Sequence, residues 1–144
     1  LPRGDDEIRL RRIREWLDDC QDNHESCPRR CSPELPTRVV DIGCAAGSPI
    51  RLKINEKGNR GQYAALSYCW GGDQPGKTTL TDLYSYTRQL SLTALPKTLI
   101  DAIRVCRGIG MRYIWIDALC IVHEDPEDKA REISRNGENL QECY

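Results

Sequence analysis

Apolar residues recur at helical spacing near the start of the chain. Within residues 6–20 they lie three or four positions apart, at Leu10, Ile13, Leu17 and Cys20. This spacing predicts an amphipathic helix, and Asp5 or Asp6 is a suitable N-cap for it. Residues 21–37 are polar and contain three prolines, so we expect them to form a loop.

Four segments further along the chain predict β-strands. Residues 38–42 and 50–54 are short apolar segments on either side of a turn rich in small residues. Residues 63–70 and 113–117 are nearly continuous apolar runs, which is typical of strands that are buried on both faces. We therefore expect these last two strands to lie inside a covered sheet.

Two helices are predicted in the second half of the chain. One begins at Pro96, and its apolar face consists of Leu99, Ala102, Ile103 and Cys106. The other begins after Asp125, an N-cap residue, and continues toward the end of the chain. Residues 79–91 contain three threonines and a weak apolar stripe, which indicates a poor helix. Strands that alternate with helices predict an α/β domain with a mainly parallel sheet covered by helices.

Composition narrows the classes of function. The chain of 144 residues has 21 basic and 22 acidic residues, a balance that gives no electrostatic reason to expect a nucleic-acid partner. No apolar run reaches the ~18 residues that a membrane span requires, and no targeting signal is visible. Cys69, Cys106 and Cys120 lie in apolar runs and are expected to be small buried residues in a reducing compartment. We therefore expect a cytoplasmic protein.

The segment Gly71–Thr78 has the spacing G-x-x-x-x-G-K-T of a phosphate-binding loop and follows a predicted strand. Asp117, at the end of another apolar run, mimics the acidic residue that helps to hold Mg²⁺. Pro75 argues against such a loop because it removes one of the backbone N–H groups that would face the phosphates. A nucleotide site of this type is therefore a distant alternative, with Lys77 as its test residue.

A group of cysteine and histidine residues follows the start of the chain. Cys20, His24, Cys27 and Cys31 lie within a dozen residues and could supply four tetrahedral zinc ligands. Their spacing is not one of the usual finger or ribbon patterns, and Cys20 also belongs to the apolar face of the first helix. A zinc site and a polar loop without metal are therefore both open at this point.

Polar side chains lie near the ends of the two apolar runs. Ser67 and Tyr68 are near the end of the first, and Asp117 ends the second. Ligands of parallel sheets bind outside the carboxyl ends of the strands, so Asp117 is well placed for function, with a capping or turn role as the alternative. Cys120 and His123 follow, and the apolar surroundings of Cys120 argue against a reactive thiol–imidazole pair.

Three sequence blocks resemble the fungal heterokaryon-incompatibility (HET) domain. They are YAALSYCWG at residues 63–71, LPKTLIDAI at 95–103 and YIWIDALCI at 113–121. Their order and spacing match the family, and the preceding helix and loop resemble the leader that often comes before this domain. The resemblance implies a helical leader and loop at residues 1–37 and the N-terminal portion of a truncated HET domain at 38–144.

Two segments depart from the family pattern. Residues 122–124 lack its Gln-Asp-like pair, and residues 136–140 lack its Met and its Ile-Tyr pair. The resemblance nevertheless implies a role in fungal non-self recognition. In that role the domain acts as an effector of programmed cell death, through self-association or through binding of a protein partner.

The HET domain is also similar in proposed fold to TIR domains, which have a flavodoxin-like parallel sheet, and some TIR domains cleave NAD with a helical glutamate. By this analogy NAD is a candidate substrate and Glu132 is the candidate catalytic acid. The same resemblance assigns a further set of pocket or motif residues: Ser67, Tyr68, Trp70, Gly71, Asp117 and Cys120.

Overall fold

The computed structural model of the chain describes residues 4–26, 32–45, 47–72 and 76–143. These residues form four β-strands and five α-helices, and the prediction of an α/β domain is confirmed. The strands are β1 (Arg38–Asp41), β2 (Arg51–Ile54), β3 (Tyr63–Leu66) and β4 (Tyr113–Ile116). The helices are α1 (Gly4–Asn23), α2 (Leu80–Arg88), α3 (Lys97–Gly108), α4 (Asp117–Cys120) and α5 (Pro126–Cys143).

The strands form one mixed sheet in the order β2-β1-β4-β3. β3 and β4 are parallel, as the helical connection between them predicts. β1 instead pairs antiparallel with both of its neighbours, β2 and β4. The expectation of a mainly parallel sheet is therefore wrong. The short connection at residues 42–50 explains the β1–β2 pair, because a parallel crossover needs about a dozen residues or more.

β3 lies at the edge of the described sheet and is shorter than its apolar run predicts. Its four residues are half-buried, not buried on both faces as we expected, because only β4 flanks it. The strand ends at Leu66, opposite Ile116, because β4 turns into α4 at that point and residues 67–70 extend past it. Cys69 lies in this extension and is exposed, contrary to the prediction, whereas Cys106 and Cys120 are buried.

Side-chain caps explain where two of the helices begin. The Asp125 carboxylate accepts two backbone N–H groups of the first turn of α5, at 3.0 and 3.1 Å, as the sequence predicts. Thr79 caps α2 by accepting the N–H of Asp82 at 3.2 Å. α2 forms although the sequence indicated a poor helix, because its cap is supplemented by packing of Leu83 and Tyr86 against the core.

The core lies between the sheet, α3 and α4. Val40 and Ile114 are cross-strand partners and are almost completely buried. α3 contributes the buried side chains Leu99, Ile103 and Cys106. The last three residues of α4 are also buried, so apolar side chains close the region just after β4. None of the helices in the described ranges is long and apolar enough to cross a membrane.

Candidate functional site

A cavity of about 470 Å³ lies beside the carboxyl ends of the parallel strands β3 and β4. Its walls combine aromatic, apolar and ionisable side chains from the two strands, from the segments that follow them and from α5. The lining residues are Ala65, Leu66, Ser67, Tyr68, Trp70, Trp115, Asp117, Ile121, His123, Lys129 and Ile133. This is the edge of a parallel strand pair where ligands usually bind.

Asp117 is the acidic group of the cavity, and the fold holds it in one orientation. It is the first residue of α4, directly after β4. Trp70 Nε1–H donates to one carboxylate oxygen at 2.9 Å, and the backbone N–H of Ala118 donates to the other at 2.7 Å. His123 Nε2 lies 3.1 Å from the backbone carbonyl oxygen of Asp117. Because that oxygen only accepts, Nε2 carries the proton.

Trp70 forms a fixed aromatic wall. Besides its bond to Asp117, its ring lies edge-on to His123, with the centroids 5.1 Å apart. The Nζ of Lys77 lies 5.2 Å from the centroid of the Trp70 ring, within cation–π range. Gly71 then turns the chain with φ at +71°, a left-handed conformation that suits glycine. Gly71 itself is exposed and is not part of the lining.

Tyr68 and Trp115 bring unused hydrogen-bond donors to the lining residues. The Tyr68 hydroxyl and Trp115 Nε1 are buried, and neither has a hydrogen-bond partner in the part of the chain that the structure describes. Burial, together with the nearby charge of Asp117, raises the pKa of Tyr68 to about 12, so its hydroxyl stays protonated at neutral pH. Leaving a buried donor unpaired costs about 1–3 kcal/mol. A ligand that accepted either hydrogen bond would remove this cost.

Thr78 fixes the loop before α2 to the segment that carries Asp117. Its N–H donates to Ala118 O at 2.9 Å, its hydroxyl donates to Leu119 O at 2.6 Å, and its carbonyl accepts the N–H of His123 at 3.1 Å. In a phosphate-binding loop this hydroxyl would face Mg²⁺. Here it is fully buried and bound to the backbone, which argues against the nucleotide site. Residues 73–75 of that motif lie outside the described residues.

Cys120 lies outside the cavity lining. Its side chain is fully buried, and its Sγ accepts the N–H of Ile116 at 3.5 Å. Burial raises the pKa of the thiol to about 12. A thiol in this environment is a poor nucleophile because the thiolate is the reactive form. The structure therefore gives Cys120 a packing position and gives His123 a bond to the Asp117 backbone.

Glu132, the candidate catalytic acid, also lies outside the cavity lining. Its side chain is 1% exposed, and within the described ranges both carboxylate oxygens are buried without a hydrogen-bond partner. The cavity is lined instead by the next residue, Ile133, because consecutive helical residues point about 100° apart. The structure thus leaves Glu132 out of the lining that contains Asp117. A catalytic role for Glu132 stays a prediction.

A buried ion pair between Arg38 and Asp128 lies beside Cys120. Arg38 donates from Nε to Cys120 O at 2.6 Å and from its guanidinium to the Asp128 carboxylate. Asp128 also accepts the N–H of Val122 at 2.9 Å and a bond from Arg131 at 2.7 Å. Burial raises the pKa of Asp128, but these bonds outweigh it and hold the pKa below its usual value. The cluster joins β1, α4 and α5.

The zinc hypothesis is tested only in part. Cys20 is half-buried in α1, and His24 is exposed just after that helix. Cys27 and Cys31 lie outside the described residues. No group of three or more metal-binding side chains is found in the described ranges. Zinc binding by this group therefore stays a prediction.

Of the pocket residues that the sequence predicted, the structure brings four to the same cavity: Ser67, Tyr68, Trp70 and Asp117. Sequence reasoning missed Trp115, Lys129 and Ile133 as lining residues, although two signals point to them. Trp115 precedes Asp117 by two positions, which is the spacing of side chains on one face of a strand. Lys129 and Ile133 are four residues apart, so they share one face of α5.

The fold and the cavity together define an α/β domain with a concave site at the carboxyl ends of two parallel strands. The family model described as heterokaryon incompatibility protein (HET) matches residues 63–138, more than half of the chain. The chain therefore belongs to the heterokaryon incompatibility family, as the three sequence blocks predict, and this membership supports a role in heterokaryon incompatibility. No curated protein and no solved structure matches the chain.

Proposed function

We propose that the chain acts in the cytoplasm of fungal cells as an effector of programmed cell death in non-self recognition. In this proposal it works by self-association or by binding a protein partner. The observation that carries the proposal is the match to the heterokaryon incompatibility family. Large apolar side chains exposed on the described surface, Trp16, Tyr84 and Ile133, offer contact area for such partners.

Inducible expression of the chain in fungal cells, with survival as the readout, tests this proposal. We expect the wild-type chain to lower survival and Tyr84→Ala to weaken the effect, because Tyr84 is 72% exposed and its removal leaves the core intact. Thr93→Ala, a change to another exposed residue, is the matched control. Asp117→Asn should kill as well as wild type if interaction alone is the mechanism. Full survival of cells that contain the folded wild-type chain would contradict the effector role.

A second candidate function, cleavage of NAD, is favoured by the chemistry of the cavity. The nicotinamide ring of NAD carries a positive charge, which aromatic faces and a carboxylate attract. Tyr68, Trp70 and Trp115 supply the aromatic faces, and Asp117 supplies the carboxylate. The protonated Tyr68 hydroxyl is a donor for a ligand oxygen. In this second candidate function Asp117, not Glu132, lies beside the substrate.

In NAD cleavage, the bond between the ribose carbon and the nicotinamide nitrogen breaks, and its electron pair leaves with nicotinamide. Water then adds to the ribose cation and loses a proton, so that the products are nicotinamide and the hydroxylated ribose. A carboxylate held by Trp70 and Ala118 stabilises the positive charge that develops on the ribose. The bonds to Asp117 keep its orientation fixed, so little reorganisation is needed during the reaction.

Release of nicotinamide from NAD by the purified chain separates the two functions. An enzyme that uses the cavity should lose about 100-fold or more in turnover in Asp117→Asn, since a group that stabilises developing charge contributes on this order. It should keep turnover in Glu132→Gln, which retains the shape of the buried side chain. Loss in Glu132→Gln alone, with the fold intact by circular dichroism, would transfer the catalytic role to α5. The absence of turnover in a folded, concentrated sample would favour the interaction function.

A further inference from the structure

α1 presents two different faces along its length. None of its side chains is buried. One face rests on α3, where Leu10 approaches Gly108 so closely that a Cβ there would lie 2.6 Å from Leu10 Cδ1. The opposite face carries Ile8, Arg12 and Trp16, four residues apart, of which Ile8 is 57% and Trp16 64% exposed. This outer face of α1 therefore exposes two large apolar side chains among charged ones.

Charge is distributed along α1 in three blocks, the first of which is the acidic first turn with Asp5, Asp6 and Glu7. The middle of the helix, from residue 9 to 14, contains four arginines and no acidic residue. The last part, from residue 15 to 22, contains four acidic residues and no basic residue. A second copy of the same helix, laid antiparallel about Trp16, therefore brings the basic block of each copy against the last acidic block of the other, while the acidic first turn extends past the end of the partner helix. Parallel packing would instead place like charges side by side.

We propose that the outer face of α1 is a homodimer interface in which two copies of the helix pack antiparallel. The two-fold axis passes near Trp16, and Arg12 of each copy faces Asp19 of the partner subunit. Arg12 and Asp19 are seven residues apart and differ by only about 20° around the helix, so both lie on the outer face. Both side chains are exposed. Such a contact is isologous, because each residue of the pair occurs once on either side.

This inference rests on the self-association in the proposed function, and it identifies the surface through which two copies associate. A single pair of helices of this length buries less than the ~1,200–2,000 Å² of a stable interface. The dimer is therefore weak, and it depends on protein concentration. It also weakens as salt rises, since charges at the surface are screened beyond about 10 Å at 0.1 M salt.

Charge reversal tests the antiparallel register directly. Arg12→Asp and Asp19→Arg each create two like-charge contacts per dimer, so either variant alone should raise the dimer Kd about tenfold or more. An equal mixture of the two variants should restore dimers, because two acidic side chains of one copy then face two basic side chains of the other. Trp16→Ala should weaken the dimer without any change of charge. Sedimentation equilibrium of the full chain at low salt measures all four samples.

Arg104→Asp is the matched control, because it makes the same charge change on an exposed residue of α3. Its Kd should match wild type. Monomeric wild-type protein, or dimers insensitive to both reversals, would overturn the interface. Dissociation by each reversal without recovery in the mixture would overturn the antiparallel register.

The survival assay distinguishes a failure of the dimer proposal from a failure of the effector proposal. Killing by a chain that stays monomeric leaves the effector function in place and overturns the dimer. If Trp16→Ala abolishes killing by a monomeric wild-type chain, the outer face of α1 binds a different protein, and the proposal of a second copy is again overturned.

Discussion

At the residue scale, the buried charges of this chain are the groups on which its stability depends most. Arg38 and Asp128 pair with only 7% and 3% of their side chains exposed. A buried ion pair of this kind contributes little against an apolar pair of the same size, because burial removes both charges from water. Removing Arg38 alone is different, since it leaves the buried Asp128 charge with only the Val122 N–H and the half-exposed Arg131 as partners among the described residues.

We expect Arg38→Met to lower the free energy of unfolding by about 3–5 kcal/mol, because Asp128 then loses its buried partner. Urea unfolding followed by circular dichroism measures the change. Arg104→Met is the control: its pair with Asp101 has side chains that are 74% and 42% exposed, so its loss should cost at most about 1 kcal/mol. Equal losses in the two variants would show that the Arg38 pair is not buried in solution.

Acid should destabilise the chain through two carboxylates. Burial raises the pKa of Asp41, but bonds from Arg112 and from the Gly43 N–H outweigh it and lower the pKa below its usual value. The pKa of Asp128 is also below its usual value, because its bonds outweigh the effect of burial. A lowered folded-state pKa gives stability that is complete above the unfolded value of about 3.9 and is lost as the pH falls through the folded value.

Urea midpoints measured from pH 7 down to pH 2 test this acid dependence. Wild-type stability should fall below about pH 4, where the unfolded chain takes up protons that the folded chain excludes. Asp41→Asn should be less stable at neutral pH and should lose less stability on acidification. A variant with the full wild-type pH dependence would show that Asp41 is not paired with Arg112.

At the scale of elements, the short segment α4 is held by a loop that is distant in sequence. Thr78 contributes a backbone donor, a hydroxyl donor and a backbone acceptor to it. These bonds set the position of the backbone around Asp117, which lines the cavity. The loop before α2 thus supports the cavity, although Thr78 itself is not a lining residue.

Thr78→Val should lower the free energy of unfolding by about 1–3 kcal/mol, because Leu119 O loses its hydroxyl donor in a buried position while the side-chain shape is kept. It should also weaken the binding of any ligand in the cavity, because α4 would be displaced. Thr93→Val is the control, since the Thr93 hydroxyl is exposed and bonded to the exposed Ser91, and should change stability by less than about 0.5 kcal/mol. Thermal unfolding and urea unfolding of both variants measure the difference.

At the scale of the whole molecule, β1 lies in the middle of the sheet although it precedes the residues that match the family model. It pairs with β2 on one side and β4 on the other. The segment just before it is also engaged, because Arg135 of α5 bonds to Thr37 and Glu34. We propose that the folded domain begins near Glu34, a few residues before the boundary at residue 38 that the sequence suggests.

A fragment of residues 63–144 should therefore fail to fold, because without β1 the buried face of Ile114 is exposed to water. A fragment of residues 26–144 lacks only α1, none of whose side chains is buried, and should unfold cooperatively. Circular dichroism and urea titration of the two fragments give the comparison. Cooperative unfolding of the shorter fragment would contradict the central role of β1.

The sequence by itself determined most elements of this protein and its family, but not α2 and α4. Periodicity predicted α1 and α3, apolar runs predicted the strands, and the cap residue Asp125 predicted the start of α5, because these signals act between residues that are near one another in the chain. The three blocks of residues also predicted the heterokaryon incompatibility family, and four of the pocket residues that they suggested line one cavity.

Only the tertiary structure decided which strands pair, which residues are covered and which side chains meet. The antiparallel placement of β1 beside β4 depends on contacts about 70 residues apart, which no local pattern reports. The same holds for the bond from Trp70 to Asp117 and for the exposure of Cys69 at the end of β3. Glu132 and Ile133 are neighbours in sequence, but the packing of α5 buries the first and turns the second to the cavity.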